Sequence, residues 1–234
     1  MNNLKISNRV NKKNLFIILI LAVIALAIWL IFGSNNNQGQ NNNNQPPIDY
    51  VYQLSDFPDT DMDEESTQNL VDRLNNDYGY LHQADDYDVY DLWIEIGNLK
   101  LGLMDFEGAV EAWKYDTVLN PINPLAFSNL GNYYKSFARD YDQAAYYFDL
   151  SINKDNIGYY HYYVSYADLY ETYLPAESYR VETIMLDGMS KPAGQSDVNF
   201  YQYLYYFFKD KQLDANKAEY YKNKILELDP EHTF

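Results

Sequence analysis

Few residues in this chain have both the type and the spacing that chemistry needs. Three histidines, His82, His161 and His232, could ligate a metal or act as general bases, but they stand too far apart in sequence to form a local motif. No H-E-x-x-H, G-x-S-x-G, phosphate loop or dinucleotide fingerprint occurs. The absence of cysteine excludes disulfides, thiolate nucleophiles and a lipoprotein anchor. Asp59-x-Asp61-x-Asp63 opens like a calcium loop, which needs glycine at its sixth position and glutamate at its twelfth. Glu64 and Leu70 stand there instead, so the stretch reads as a solvated acidic segment running into a helix. The other carboxylates offer no pair distinguishable from an acidic surface. The chain therefore reads as a non-enzyme, with no catalytic, metal-binding or cofactor-binding residue expected.

Tyrosine is the unusual resource, with 26 in the chain and six in the cluster Tyr159, Tyr160, Tyr162, Tyr163, Tyr166 and Tyr170. Tyr163, Tyr166 and Tyr170 share one helical face, which suits packing. Tyrosines also stand at adjacent positions around the same helix, so some must face outward, where they make good contacts for proteins and sugar rings. Core and ligand surface both stay open from the sequence.

Charge narrows the partners. The formal net charge is −17, and four of the 17 basic residues (Lys5, Arg9, Lys12, Lys13) precede an apolar run. Beyond it stand 13 basic against 34 acidic residues. Such a surface repels nucleic acid and anionic headgroups and favours basic or neutral proteins and peptides.

The elements that would carry these residues fall in a clear order. Residues 1–14 are basic and polar. Residues 15–32 are 18 unbroken apolar residues, which as a helix span about 27 Å against roughly 30 Å of hydrocarbon. The basic flank predicts a single-pass cell-membrane anchor with the N-terminus cytoplasmic and the remainder extracytoplasmic. No A-x-A cleavage site follows Ile31 and Phe32. Residues 33–65 read as a flexible Asn/Gln-rich and then acidic linker. Residues 66–234 read as helical, opening with a cap helix at 66–82 whose Leu70, Leu74 and Tyr78 share a face.

The densest pattern follows. Trp93-x2-Ile96-Gly97-x2-Lys100 leads to Ala109-x3-Trp113 and then Pro121. Phe127-x2-Leu130-Gly131-x2-Tyr134 leads to Ala144-x3-Phe148, with Gly131 lying 34 residues after Gly97. Tyr163-x2-Tyr166-Ala167-x2-Tyr170 with Val181-x3-Met185 is a weaker third copy, and Ala218, Ile225 and Leu228-Asp229-Pro230 close a fourth. The chain from about 90 to 230 thus resembles the tetratricopeptide repeat (TPR) family, whose W-x2-L-G-x2-Y, A-x3-F and P pattern recurs at about 34 residues. The resemblance predicts an all-α solenoid of helical hairpins in a right-handed superhelix, with repeats at 90–123, 124–157, 158–194 and 197–230. Gly97 and Ala109 are then small because helices A and B cross there, while Trp93 and Trp113 fill the space between hairpins. Gly131 to Ala144 is one residue longer than Gly97 to Ala109, and the extra residue is expected between the helices, in 136–140.

By the same resemblance, a concave groove lined by helix A would bind the partner. Its residues would be Asp91, Ile94, Asn98 and Leu101 in the first repeat, Leu125, Ser128, Asn132 and Lys135 in the second, and His161, Val164, Asp168 and Glu171 in the third. A chaperone-type carboxylate clamp is not expected. Asn98 and Asn129 match its asparagines, but Ile94, His161 and Ser165 stand where its basic residues belong. The functional expectation is a membrane-tethered adaptor or scaffold in the cell envelope, with glycan binding or self-association as alternatives.

Overall fold

The structure, a computed structural model, describes residues 49–83, 89–194, 197–212 and 214–234. The expected membrane helix at 15–32 and the tether at 33–47 lie outside them. Among the described residues the chain is all-helical. None of their helices is long and apolar enough to cross a membrane.

A first helix, α1 (Glu64–Leu81), is started by Asp63, whose carboxylate accepts from the Ser66 amide at 2.8 Å. The third aspartate of the apparent calcium loop is therefore a helix cap. The buried stripe of α1 is Thr67, Val71, Leu74, Tyr78 and Leu81, a helical i, i+4, i+7 spacing. Leu70, expected on that face, flanks it half-buried. The acidic lead-in is also more ordered than a free linker. Tyr52 donates its amide to Asn75 Oδ1 at 2.8 Å and accepts from Asn75 Nδ2 at 3.0 Å, and Phe57 is buried.

Four helical hairpins follow: α2 (Val89–Gly102) with α3 (Phe106–Leu119), α4 (Pro124–Tyr133) with α5 (Tyr141–Lys154), α6 (Tyr160–Asp168) with α7 (Arg180–Met189), and α8 (Val198–Tyr206) with α9 (Ala215–Leu228). Helices adjacent in sequence pack together, and the first helices of later hairpins touch directly, α4 against α6 and α6 against α8. Aspartates start three of the four second helices: Asp105 accepts from Gly108 N, Asp140 from Gln143 N, and Asp214 from Asn216 N and Lys217 N, while Tyr179, ahead of α7, provides no side-chain cap. Each such cap is worth about 0.5–2 kcal/mol. Asn123 caps α4, with Pro124 in its first turn, while Pro121 sits exposed just past the end of α3.

The hairpins are held by a small residue against a large one. A Cβ on Gly97 would lie 2.3 Å from Trp113 Nε1, and one on Gly131 would lie 2.6 Å from Phe148 Cδ1. Ala109, Ala144, Trp113 and Phe148 are all buried. Trp93 fills the space towards α1, edge-on to Tyr78 at 6.1 Å and to Tyr115 at 4.9 Å. Phe127 is buried and Tyr134 stacks on Tyr147 at 5.4 Å. Lys100, which replaces that tyrosine in the first hairpin, is buried too. It pairs with Asp105 at 2.7 Å and lies 4.7 Å from the Tyr52 ring centre. Burial pulls its pKa down, but the bonds to Asp105 and Tyr52 outweigh that and raise it overall.

The later hairpins relax the rule. Ala167 and Met185 hold the small and large positions of the third and are both buried. In the fourth, Leu204 takes the small position and Lys222 the large one. The core there passes to Phe208 and Tyr221, parallel at 5.8 Å.

The extra residue of the second repeat does not lengthen the connection. It is wound into the helix as a π-helical turn, Tyr134–Ala138, closed by Arg139 at φ 55°. The same device ends α6 at Leu169–Tyr173 and α8 at Phe207–Lys211. An i→i+5 turn absorbs one residue within the helix rather than in the connection that follows it.

Two stability predictions follow from these contacts. Gly97→Ala should destabilise by about 1–3 kcal/mol by overpacking, whereas Gly79→Ala, whose Cβ meets nothing within 4 Å, should stabilise by about 0.5–1 kcal/mol. Chemical denaturation of both variants checks the contrast, and equal effects would refute the interlock. The second concerns Asp77, whose Oδ2 is buried without a partner. Burial, then the nearby Glu95 carboxylate, raises its pKa to about 6. A carboxyl whose folded pKa lies above its unfolded one costs stability at neutral pH, and that cost fades as pH falls through the folded pKa. Asp77→Asn should therefore raise the melting temperature at pH 7.5, with the gain gone by about pH 4.

Candidate functional site

The first helices α2, α4 and α6, with the π turns that end the latter two, carry the residues that the repeat register assigns to a groove, and the structure sorts them. Asp91, Asn98 and His161 are exposed, while Leu101, Asn132, Val164 and Asp168 are half-buried. Ile94 is not available to a partner. It is buried with Ala109, Trp113, Ala126 and Leu130, and its carbonyl accepts from Trp113 Nε1 at 3.4 Å. Ser128 is buried as well.

Lys135 also departs from a groove position. It lies in the π turn after α4, and its buried Nζ donates to Asp168 Oδ2 at 2.7 Å and Ser165 O at 3.4 Å. Two residues expected to face a ligand thus satisfy each other across neighbouring hairpins. Thr172 Oγ1 supports the pair by donating to the other Asp168 oxygen at 2.7 Å.

This pair is one rung of a polar ladder joining successive first helices. Asn129 Nδ2 donates to Asn98 Oδ1 at 3.2 Å between the first and second hairpins. Between the third and fourth, Tyr203 Oη donates to Glu171 Oε2 at 2.6 Å, with Lys211 Nζ 3.6 Å from Oε1. The second helices have their own link, where Glu182 of α7 receives Lys217 and the Tyr221 hydroxyl of α9. Sequence reasoning missed the Tyr203 and Lys211 contributions, because the groove assignment stopped at the third repeat. Setting Phe200 in register with Tyr163 would have brought α8 onto the same face.

The tyrosine cluster divides by burial. Tyr162, Tyr163, Tyr166 and Tyr170 are buried in the largest core cluster, and only Tyr159 is well exposed, with Tyr160 half-buried. Burial and the neighbouring Asp155 push the Tyr162 hydroxyl up to about 12, so it holds its proton at neutral pH. Asp155 itself is buried, accepting from the amides of Ile157, Gly158 and Tyr159 at 2.9–3.0 Å, and so fixes the turn into α6. Beside that turn lies a depression of about 600 Å³ whose rim includes the exposed Ile122 and Tyr159. Among the described residues no group of three His, Asp or Glu side chains is placed to hold a metal.

The Lys135–Asp168 pair predicts an asymmetry. Asp168→Ala leaves a buried ammonium without its carboxylate and should cost about 1–3 kcal/mol. Lys135→Met, which leaves only a half-exposed carboxylate that water can reach, should cost less. Equal losses on denaturation of the two variants would show that the pair is solvated. No protein-family model matches the chain, and no curated protein matches its sequence.

Proposed function

We propose that this protein is a membrane-tethered adaptor of the TPR type, which binds segments of other proteins along the face of its first helices. The observation that carries this reading is the recurrent interlock, Gly97 with Trp113 and Gly131 with Phe148, in consecutive hairpins one TPR period apart. Stacked hairpins of this kind are not self-contained units, and their extended surfaces suit the binding of chain segments. The family and the membrane attachment rest on the sequence patterns at 90–230 and 15–32. The net charge of −17 favours basic or neutral partners. A tethered, extracytoplasmic scaffold for cell-envelope assembly accommodates all of these features.

A sugar platform built on Tyr159–Tyr163 has less support, since two of its four tyrosines are in the core. The test is photo-crosslinking from single positions in the full chain within its own membrane. A crosslinker at Asp91, Asn132 or His161 should capture the same protein, and one at Val118 or Tyr146 on second helices should not. Capture from both faces alike, or of a second copy only, would defeat the adaptor reading. Protease added to intact spheroplasts should remove the acidic domain, and full protection would reverse the orientation.

A further inference from the structure

Between α6 and α8, on the first-helix face, a cleft of about 320 Å³ is lined in part by Tyr160, Glu171, Tyr203, Tyr206, Asp210 and Lys211. That is near the lower end of ligand-site volumes, so it suits one side chain better than a whole segment. Its chemistry centres on Glu171, whose side chain is only 19% exposed. One oxygen is taken by the Tyr203 hydroxyl at 2.6 Å. The other, Oε1, faces Lys211 Nζ at 3.6 Å, beyond hydrogen-bond distance, and the Lys211 side chain is 60% exposed. The cleft thus offers a largely desolvated carboxylate oxygen with spare acceptor capacity, among tyrosines, beside the loose surface Lys211, while Lys209 lies over the outer tyrosine, Tyr206, at 5.5 Å. Asp210 adds a second, exposed carboxylate.

We infer that this cleft receives an arginine side chain of the partner, with the guanidinium bonded to Glu171 Oε1 and displacing Lys211. This rests on the reading that the first-helix face binds other proteins. Charge complementarity selects the occupant: two carboxylates face one displaceable cation, on a chain of net charge −17. A neutral sugar gains nothing from that imbalance. Arginine suits the cleft better than lysine, because its planar guanidinium is weakly hydrated, forks onto carboxylates and stacks on aromatic rings.

The test titrates the full chain in detergent against a fluorescein-labelled Gly-Ser-Arg-Ser-Gly peptide, followed by anisotropy. The citrulline peptide, of the same shape without the charge, is the comparison. The arginine peptide should bind in preference, and added salt should weaken it. Glu171→Gln keeps an acceptor for Tyr203 but removes the charge, and should weaken binding about tenfold. Lys211→Ala should tighten binding several-fold by removing the competing cation, a change of sign that a merely structural role would not produce. The exposed Asp210→Asn gives a second reading should Glu171→Gln lower the melting temperature, and should weaken binding a few-fold. Equal binding of citrulline, no response to either carboxylate variant, or weaker binding by Lys211→Ala would overturn the assignment. So would a neutral chitooligosaccharide that binds and is lost in Tyr206→Ala while the arginine peptide does not bind. If the photo-crosslinks persist in Glu171→Gln while the arginine peptide fails, the adaptor reading stands and the cleft assignment alone falls.

Discussion

The structure depends on how closely two helices of one hairpin can approach. Glycine inside a helix costs about 1 kcal/mol against alanine, yet Gly97 and Gly131 sit within α2 and α4 because an indole and a phenyl ring lie where their Cβ atoms would be. A large ring seated against bare backbone sets both the crossing point and the distance between the axes. Register follows from it, since the remaining side chains of each helix are then committed to the core, to the next hairpin or to solvent. Buried Trp93 on one side and buried Ala109 and Ala144 on the other are consequences of that placement.

The interlock weakens along the chain, and other contacts take over. Alanine with methionine holds the third hairpin, and leucine with lysine replaces the pair in the fourth. As the small position grows, the large side chain must leave, and stacking of Phe208 on Tyr221 fills the core in its place. The π-helical turns belong to the same adjustment. Each adds a residue at the end of a first helix, and so changes which side chains the next turn presents. Lys135 lies within one of these turns, and its ammonium meets Asp168 of the neighbouring hairpin instead of solvent.

The polar ladder along the first helices gives that face two kinds of residue. Asn98, Asn129, Lys135 and Asp168 spend their hydrogen bonds joining hairpins. Asp91 and His161 remain exposed, and Glu171 keeps one oxygen only loosely engaged. A surface built this way is rigid where its polar groups are paired and receptive where they are not. Rigidity of that kind lowers the ordering cost of any binding that follows.

The sequence by itself determined the helical class, the 34-residue spacing and the residues that lock the first two hairpins, because glycine, alanine and tryptophan at fixed intervals are local, periodic signals. It also determined the charge balance, a net −17. Only the tertiary structure decided which face residues are free. Ile94 and Lys135 occupy positions that a register assigns to a groove, but one is drawn into the core beside Trp113 and the other is neutralised by a residue 33 positions away. The pairing of Tyr203 and Lys211 with Glu171 was likewise invisible, as was the division of the tyrosines into core and surface. Periodicity tells which side of a helix a residue is on. What that side meets depends on neighbours distant in sequence, and on π turns whose phase no local pattern announces.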